Sequence, residues 1–515
     1  MNNQPNIFVN ILQWITSGNL FGAIFPWIRE VKPKIEIKQH SMDTIEVLET
    51  ESVEIQRIFD LQKQNQYVVG NSTVSERKAK LRKFHEVILK YKGEIRDALQ
   101  RDYGKHPSEV DLSEIYPVTS EIKHALGSLK KWMGSNSRST PLALLGASSM
   151  IKYEPKGVVL IISPWNFPFN LTFGPLVSAI AAGNCVMIKP SEMTPNASAL
   201  MKKIVAEVFN ENEVAVLEGG VQTAQDVLKL PFNHIFFTGS PAIGKIVMAA
   251  AAKHLTSVTL ELGGKSPTIV DETADIKTAA KRISWAKFLN NGQVCIAPDY
   301  VLVHEKVKDA LVKEFTAQVN SFYTENPSEA KSYGRIVNSR HHQRLREMID
   351  DAFEKDANIE VGGKVNDEDN FISPTIMTNV KPDARLMQEE IFGPILPVVT
   401  FKDLDEVIDI VNSKEKPLAL YIYSKSKANA NKIISNTRAG ATVINQNAIH
   451  FFNLNLGFGG SNNSGIGRGH GDEGFKSFSN PRGIMKQHMP NALDLLTPPY
   501  DDFKQRLIDL TIKWF

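Results

Sequence analysis

The sequence predicts an α/β fold with two tandem domains, each built around a parallel sheet. Short runs rich in β-branched and aromatic residues, such as GVVLIIS from Gly157 and HIFFTGS from His234, alternate with stretches at helical spacing. A second series of the same kind begins near Thr268 and continues through YVLVHEKV, FISPTIM and ILPVVTF. No low-complexity linker separates the two series. We expect the domain boundary between them, near Gly263.

The composition excludes several classes of protein. The chain has 515 residues, and its 59 basic and 57 acidic residues nearly balance, which argues against nucleic-acid binding. Two cysteines cannot form a disulfide framework, so we expect a reducing, cytoplasmic compartment. The 12 histidines show no HExxH spacing and the cysteines no zinc pattern, so no metal site is expected.

The N-terminus differs from the rest of the chain. Residues 7–28, IFVNILQWITSGNLFGAIFPWI, carry no charge, yet they lack the basic flank and cleavage site of a secretory signal. Polar residues also dilute the apolar run that a membrane span needs. Three interpretations remain open: an extension or a start codon read too early, with Met42 as a later candidate; an interfacial amphipathic segment; or a true span.

The next elements follow from periodicity. Residues 53–99 place apolar and charged residues at helical spacing, as in SERKAKLRKFHEVILKYKGEIRDAL, and predict helices. The runs AAGNCVMIKPSE and SVTLELGG predict further strands of the first sheet. At the other end, DDFKQRLIDLTIKWF predicts an amphipathic helix that has these residues near one face: Phe503, Leu507, Leu510, Ile512 and Phe515.

Two patterns that resemble known motifs can be set aside, and a third motif is absent. GSPAIGKI, from Gly239, is one residue from a phosphate-binding loop, but Ile246 stands where a hydroxyl must reach magnesium. Its glycine-rich start before a helix still suits a dinucleotide pyrophosphate. GIGRGHG, from Gly465, lacks the GxGxxG spacing and a preceding strand, and predicts a flexible loop. The GxSxG pattern of serine hydrolases is absent.

Three short stretches suggest chemistry. Cys185 lies in a run typical of a buried strand, whereas Cys295, in NNGQVCIAPDY, follows small and polar residues that predict a loop where a thiol can be reached. Asn166, in PWNFPFNL, follows a strand at the end where ligands bind, and its amide could donate to an oxyanion or simply form a turn. Glu261, in LELGGKSP, ends another apolar strand, where a buried carboxylate suits a general base.

Taken together, the ordered motifs PWNFP, FTGS, LELGGKSP, NNGQVCIAPDY and QEEIFGPI resemble the NAD(P)-dependent aldehyde dehydrogenase superfamily, from about Val53 to Gln487. CIAPDY and NSGIGRGHGDEGFKSFS resemble its class 3 branch, which includes fatty, aromatic and coniferyl aldehyde dehydrogenases. The resemblance implies a Rossmann-like cofactor domain, a catalytic domain and a small oligomerisation arm. The implied division is an N-terminal extension (1–45), an NAD(P)-binding domain (46–262, with an arm at 135–156), a catalytic domain (263–450), and a return to the cofactor domain with the second arm and the tail (451–515).

The resemblance also implies roles for single residues. Cys295 would be the nucleophile, Glu261 the general base and Asn166 the oxyanion donor. The implied cofactor-binding residues are Trp165, Lys189, Glu192, Gly239, Ser240, Gly244, Glu390 and Phe392. A solvated ion pair remains the alternative for Lys189 and Glu192, and a surface carboxylate for Glu390. Gly457 and Gln446 depart from the commonest family residues in loops near the substrate entrance, so they weaken any transfer of substrate preference, and Phe167 fills a position where Tyr is also frequent.

The implied reaction is oxidation of a medium- or long-chain aliphatic or an aromatic aldehyde to its acid. Glu192 favours NAD over NADP, with NADP as the alternative. Two rival readings remain: a coenzyme A-acylating dehydrogenase, which Glu261 disfavours, and an inactive structural protein on the same fold. The stretches SSMIKYEPKG and NPRGIMKQHMP resemble the arms of the family's homodimer. The C-terminal tail is expected to pack on the neighbouring subunit; the alternative is that it contacts a membrane, although it is too short and charged to span one.

Overall fold

The computed structural model describes residues 49–490 and 492–514. The helices of this part are α1 (Ser52–Gly70), α2 (Val74–Lys90), α3 (Lys92–Tyr103), α4 (Pro107–Val110), α5 (Tyr116–Trp132), α6 (Asn170–Ala182), α7 (Pro195–Val208), α8 (Val221–Val227), α9 (Pro241–Ala252), α10 (Ile276–Phe288), α11 (Lys308–Tyr323), α12 (Ser339–Glu354), α13 (Arg385–Gln388), α14 (Leu404–Asn412), α15 (Lys427–Asn436), α16 (Gly471–Ser477) and α17 (Asp502–Trp514). A π-helical turn, Asp111–Ile115, joins α4 to α5. The helices predicted over residues 53–99 are therefore confirmed as α1, α2 and α3. The N-terminal stretch 7–28 lies outside the described residues.

The strands follow in the same order. They are β1 (Asn136–Arg138), β2 (Ala147–Pro155), β3 (Val158–Ile162), β4 (Cys185–Lys189), β5 (Val214–Val216), β6 (His234–Thr238), β7 (Ser257–Glu261), β8 (Pro267–Val270), β9 (Tyr300–His304), β10 (Asn358–Val361), β11 (Val365–Asn366), β12 (Phe371–Ile372), β13 (Thr375–Thr378), β14 (Ile395–Phe401), β15 (Ala419–Tyr423), β16 (Ala441–Ile444), β17 (Gly465–Ile466) and β18 (Ser479–Gln487). Each apolar run that predicted a strand contains one.

Two large sheets organise these strands. The first has the order β17-β7-β6-β3-β4-β5, with β3 to β7 parallel and β17 antiparallel at the edge. The second has the order β10-β13-β14-β9-β8-β15-β16, parallel except for β10. Each sheet packs apolar side chains on both faces, which explains why its strands are continuous apolar runs. The predicted α/β class with two parallel sheets is therefore confirmed.

Except for β17, the strands of the first sheet come from residues 158–261. All strands of the second sheet come from residues 267–444. The change between sheets falls beside Gly263. The domain limits at residues 46, 263 and 451 stay a prediction, and residues 1–45 lie outside the described part of the chain.

A third sheet joins the two predicted arms. Strand β18 pairs antiparallel with β2 along its whole length, from Ser479 opposite Pro155 to Gln487 opposite Ala147, and β1 pairs on the other side of β2. One loop prediction is wrong. The start of GIGRGHG, Gly465–Ile466, forms strand β17 and pairs with Leu260 and Glu261. A two-residue strand is too short to show alternation, so the sequence pattern could not reveal it.

The C-terminal segment forms the predicted amphipathic helix, α17. Its side chains Phe503, Leu510, Ile512 and Trp514 are exposed. Throughout the described residues, none of the helices combines the length and the apolar character that crossing a membrane requires.

Candidate active site

The three predicted catalytic residues come from the ends of different elements. Asn166 follows β3, Glu261 is the last residue of β7, and Cys295 lies in a turn before β9. One cavity, with an empty volume of about 560 Å³ including its part open to solvent, is lined by both Cys295 and Glu261. Asn170 and Leu171, at the start of α6, also line it. Parallel strands end at the same edge of a sheet, which places the ends of β3 and β7 on one side, and the loop before β9 of the second sheet brings Cys295 to the same cavity as Glu261.

The loop that carries Cys295 has an unusual backbone. Asn290, Asn291 and Gly292 all have positive φ, at 50°, 54° and 72°. Asparagine tolerates this region better than most residues, and a β-carbon at position 292 would lie 2.2 Å from the main-chain oxygen of Gly393. The NNG sequence is therefore needed to turn the chain sharply from α10 toward Cys295.

Asn166 is bonded to that same loop. Its side-chain Nδ2 donates to the main-chain oxygen of Gln293 at 2.9 Å. Its main-chain oxygen accepts from the Tyr103 hydroxyl at 3.0 Å and from Asn290 Nδ2 at 2.8 Å. A side-chain amide carries two N–H donors, and one of them remains for another acceptor. The arrangement fits an oxyanion donor held in a fixed orientation.

The Cys295 thiol is half-buried, whereas Cys185 is fully buried in β4. Burial is the main cause that raises the pKa of the Cys295 thiol to about 12, and the nearby carboxyl groups of Glu390 and Glu261 add to it. The main-chain N–H groups of Cys295 and Ile296 partly oppose this effect. The thiol is therefore protonated at neutral pH in this state, and its proton must leave for the sulfur to attack.

Glu261 is a buried carboxyl group without a normal hydrogen bond. Its side chain is buried, and within the described residues neither oxygen has a hydrogen-bond partner. Burial raises its pKa well above the usual range, and the charge of Arg468 and the nearby N–H of Gly469 offset only part of this shift. Such a group is costly to maintain unless it has a function. A carboxyl group that holds a proton near neutrality suits acid–base chemistry.

The predicted nicotinamide-side residues lie together. Phe392, which has φ of +49°, packs edge-to-face on Trp165 with ring centroids 5.5 Å apart. The Glu390 carboxylate lies so close to Gly263 that a β-carbon there would be 2.2 Å from Oε2. Burial and the charge of Asp299 raise the pKa of Glu390 to about 7. The segment thus combines a carboxylate, an aromatic ring and a close backbone approach.

Two residues that hold this segment were not predicted. Asp299 Oδ1 accepts from the main-chain N–H of Ile391 at 2.9 Å, and its Oδ2 pairs with Lys265. Arg344 donates to the main-chain oxygen of Ile391 at 2.6 Å. Asp299 belongs to the CIAPDY motif, and a carboxylate directly before strand β9 was available as a signal. Arg344 lies in α12 and is not part of any sequence motif that could have indicated its role.

The predicted adenosine-side residues lie at the carboxyl edge of the first sheet. Lys189, which ends β4, pairs with Glu192 at 2.7 Å, and the lysine is buried. The pair is therefore not the fully solvated one considered from the sequence. Ser240 caps the exposed start of α9, where free main-chain N–H groups can receive a pyrophosphate.

Two glycines allow this region to pack closely. A β-carbon at Gly239 would lie 2.5 Å from the Phe237 ring, and one at Gly244 would lie 2.8 Å from Leu262. Donors at a helix start, a buried lysine and a carboxylate at one sheet edge fit a dinucleotide. Among the described residues, no cluster of His, Cys, Asp or Glu is arranged to hold a metal ion.

A buried ion pair behind Asn166 was also missed. Lys105 Nζ lies 2.8 Å from Glu114 Oε1, and both side chains are almost completely buried. Glu114 Oε2 accepts from the main-chain N–H of Asn170 at 3.0 Å, and Lys105 lies 4.1 Å from the centroid of the Phe167 ring. Glu114 sits on the π-helical turn, a distortion often found near functional sites. The sequence GKHPSEVDLSEI offers no signal, because charged residues in a helical pattern normally face solvent.

The comparisons with known proteins agree with this geometry. The model of the aldehyde dehydrogenase family matches residues 29–484. The putative aldehyde dehydrogenase AldX of Bacillus subtilis is 44% identical, over 84% of this chain and 98% of its own. The 4,4'-diaponeurosporen-aldehyde dehydrogenase of Staphylococcus aureus is 43% identical, over 83% and 92%. Aldehyde dehydrogenase family 3 member B2 of Mus musculus is 41% identical, over 85% and 90%.

Solved structures give the same result. Substrate-bound AldH of Staphylococcus aureus superposes with a TM-score of 0.85 at 41% identity, covering 89% of this chain and 99% of its own. An aldehyde dehydrogenase of Mycobacterium tuberculosis complexed with NAD+ has a TM-score of 0.79 at 26% identity, covering 87% and 92%. A glyceraldehyde-3-phosphate dehydrogenase of Methanocaldococcus jannaschii complexed with NADP has the same score and identity, covering 86% and 96%. The class 3 resemblance is confirmed, and with it the family's reaction, the oxidation of an aldehyde with NAD or NADP. The chain therefore belongs to the aldehyde dehydrogenase family, within its class 3-like branch.

Proposed function

We propose that Cys295, Glu261 and Asn166 are the catalytic residues of this aldehyde dehydrogenase. The observation that carries the proposal is the single cavity lined by Cys295 and Glu261, with the Asn166 amide bonded to the loop of Cys295. A nucleophile and a base on one cavity, with an amide donor bonded to the nucleophile's loop, are the groups that thioester chemistry needs.

In the proposed mechanism, the Cys295 thiol gives its proton to water, and the sulfur attacks the aldehyde carbon to form a hemithioacetal. The free N–H of Asn166 and the main-chain N–H of Cys295 hold the oxyanion. NAD or NADP, when bound, supplies the acceptor for the hydride. Glu261, in its ionised form, then takes a proton from a water molecule whose oxygen attacks the Cys295 thioester. The carbon–sulfur bond breaks and the proton passes from Glu261 to the leaving sulfur, which releases the acid and restores the thiol.

The residues that would hold the dinucleotide form three groups. Lys189 and Glu192 would bind the adenosine ribose, while Gly239, Ser240 and Gly244 would receive the pyrophosphate at the start of α9. Trp165, Glu390 and Phe392 would position the nicotinamide end. We favour NAD, because the Glu192 carboxylate accepts from a free 2′-hydroxyl and repels a 2′-phosphate.

The proposed substrate is a medium- or long-chain aliphatic or an aromatic aldehyde. Leu171, Leu418 and Phe458 give the cavity apolar walls, which supports an apolar substrate body. The Staphylococcus aureus relative named above is described as acting on the aldehyde of 4,4'-diaponeurosporene, which also supports an extended hydrocarbon.

The deciding experiment follows the absorbance of reduced cofactor with a graded series of aldehydes. Steady turnover without coenzyme A in the wild type, and its loss in Cys295→Ser, are expected. Turnover that needs coenzyme A would indicate an acylating enzyme, and absent turnover with every aldehyde would indicate an inactive protein on this fold.

We also propose a cytoplasmic homodimer formed through the β1-β2-β18 sheet. The nine-residue pairing of β18 with β2 gives this sheet a long strand, and long edges tend to be covered. Light scattering after gel filtration would measure the mass, and a monomer at micromolar concentration would refute the dimer.

We also propose that the C-terminal helix α17 makes peripheral contact with a membrane surface. Phe503, Leu510, Ile512 and Trp514 leave an apolar surface exposed on α17. Flotation with anionic vesicles should carry the full chain and release a chain that lacks residues 500–515. Equal flotation of the two chains would contradict the proposal.

A further inference from the structure

A second group of polar side chains lies on the wall of the catalytic cavity. Glu121, from α5, and His470, just before α16, line the cavity that also holds Cys295 and Glu261. Both side chains are largely buried; that of Glu121 has 5% of its surface exposed. The proposed mechanism uses neither residue.

These two side chains have unused hydrogen-bonding atoms. Glu121 Oε1 accepts from the main-chain N–H of Gly471 at 2.8 Å, which fixes the carboxyl group. Its Oε2 and the Nδ1 of His470 have no hydrogen-bond partner in residues 49–490 and 492–514. These two atoms lie 3.8 Å apart, too far for a direct bond. An oxygen atom placed about 2.8 Å from each of them would complete the hydrogen bonding of both.

The surroundings favour a neutral ligand group. The His470 ring is flanked by Phe451 and Phe458, with centroids 4.6 Å and 5.4 Å away. Burial raises the pKa of Glu121 to about 7 and lowers that of His470 to about 4, with His450 contributing to the latter. A charged ligand would lose its hydration without gaining a full opposite charge. A hydroxyl group, which both donates and accepts, matches the two atoms.

We propose that Glu121 and His470 form a hydrogen-bonding subsite for a hydroxyl group on the aldehyde substrate, remote from its carbonyl. The subsite rests on the proposed function, because the aldehyde carbon must be at Cys295 for the far end to be read. It narrows the substrate class to aldehydes with an apolar body and a second oxygen. Unpaired polar atoms in a cavity discriminate between ligands that do and do not satisfy them.

The test compares alkanals with hydroxyalkanals of graded length and hydroxyl position. In the wild type, one hydroxyalkanal should exceed its matched alkanal in kcat/KM by about tenfold. His470→Phe keeps an aromatic ring and removes Nδ1, so it should bring this ratio close to unity. Glu121→Leu should act in the same direction. His85→Phe is the matched control, because His85 also has a buried unpartnered nitrogen but does not line this cavity.

The outcomes separate the two proposals. Ratios near unity for every pair in the wild type, or a preference that survives in both variants, would overturn the subsite. A wild type that oxidises no aldehyde would instead refute the proposed function. In that case the thermal shift given by alkanediols and matched alkanols decides the subsite: a larger shift with a diol, lost in His470→Phe, supports it, and equal shifts refute it.

Discussion

The side-chain amide of Asn166 donates to the main-chain oxygen of Gln293, two residues before Cys295, over 2.9 Å. This bond joins the end of β3 to the loop that precedes β9. The amide is therefore fixed relative to the thiol before any substrate binds. Fixed donors stabilise a developing oxyanion without reorganisation, which is where their catalytic advantage lies.

Replacing Asn166 tests this arrangement. Asn166→Ala removes the free N–H and should lower kcat by about 10²- to 10³-fold, because one oxyanion donor is worth that much. Steady-state kinetics with a saturating alkanal would measure the loss, and the thermal midpoint would show whether the loop survives. A variant that keeps its kcat would remove Asn166 from the mechanism.

The buried ion pair of Lys105 and Glu114 should contribute strongly to the free energy of unfolding. Lys105→Met leaves Glu114 without its partner in a site where both side chains are almost fully buried, so we expect a loss of about 3 to 5 kcal/mol in the free energy of unfolding. Thermal and urea unfolding would measure it. The double variant Lys105→Met/Glu114→Gln removes both charges and should recover most of the loss. Additive losses would mean that the two groups do not interact.

Much of this site was predictable because its residues lie beside proline or glycine residues that mark the ends of strands or the turns before them. Asn166 and Glu261 each follow or end a buried apolar run beside proline or glycine, and Cys295 follows an NNG turn. Those local patterns force a bend or a strand end, and the parallel sheet brings the ends together.

Other residues could not be predicted because their role depends on packing between distant elements. Glu114 and Lys105 have the helical pattern of surface charges, and only the π-helical turn and the contact with α6 bury them. Arg344 reaches the Glu390 segment from a different helix. No spacing in a single sequence encodes such tertiary contacts.

The reactivity of Cys295 should respond to Glu390. Removing this carboxyl group, one of the causes that raise the thiol pKa, should increase alkylation by iodoacetamide at about pH 8 by about threefold, since the thiolate is the reactive form. Mass spectrometry of Glu390→Gln against the wild type would measure the rate. Cys185 is fully buried and should stay unlabelled. Glu389→Gln is the control, because Glu389 is an exposed neighbour; an unchanged rate in Glu390→Gln would contradict the coupling.

Glu109 should make stability depend on pH. Burial raises its pKa to about 7 from a usual value of 4.5, so between these values the folded protein binds more protons than the unfolded chain. The contribution of Glu109 to stability therefore falls as pH rises through this window. Glu109→Gln, which keeps an acceptor for the Asn290 N–H, should match the wild type near the lower value and exceed it by up to about 3 kcal/mol above the upper one.

Unfolding midpoints across the window, with the exposed Glu354→Gln as control, would test this expectation. A difference between Glu109→Gln and wild type that does not change with pH would show that Glu109 ionises alike in both states.

Cofactor preference should depend on Glu192. Its carboxylate pairs with Lys189 at 2.7 Å, so the lysine charge is largely compensated at the sheet edge where an adenosine ribose would lie. Glu192→Gln removes the repulsion of a 2′-phosphate and leaves the lysine free to attract it. We therefore expect the ratio of kcat/KM with NADP to kcat/KM with NAD to rise by about tenfold. The reason is that the repulsion between two like charges this close exceeds about one kcal/mol.

The control is Glu207→Gln, which breaks an ion pair of the same length, 2.7 Å, with Lys90 on an exposed helix surface. Its ratio of NADP to NAD should equal that of the wild type. Lys189→Ala should weaken both cofactors, because the lysine would bind hydroxyl and phosphate alike. A ratio that stays constant in Glu192→Gln would mean that the carboxylate does not face the 2′ position, and the assignment of the ribose site to this strand end would be withdrawn.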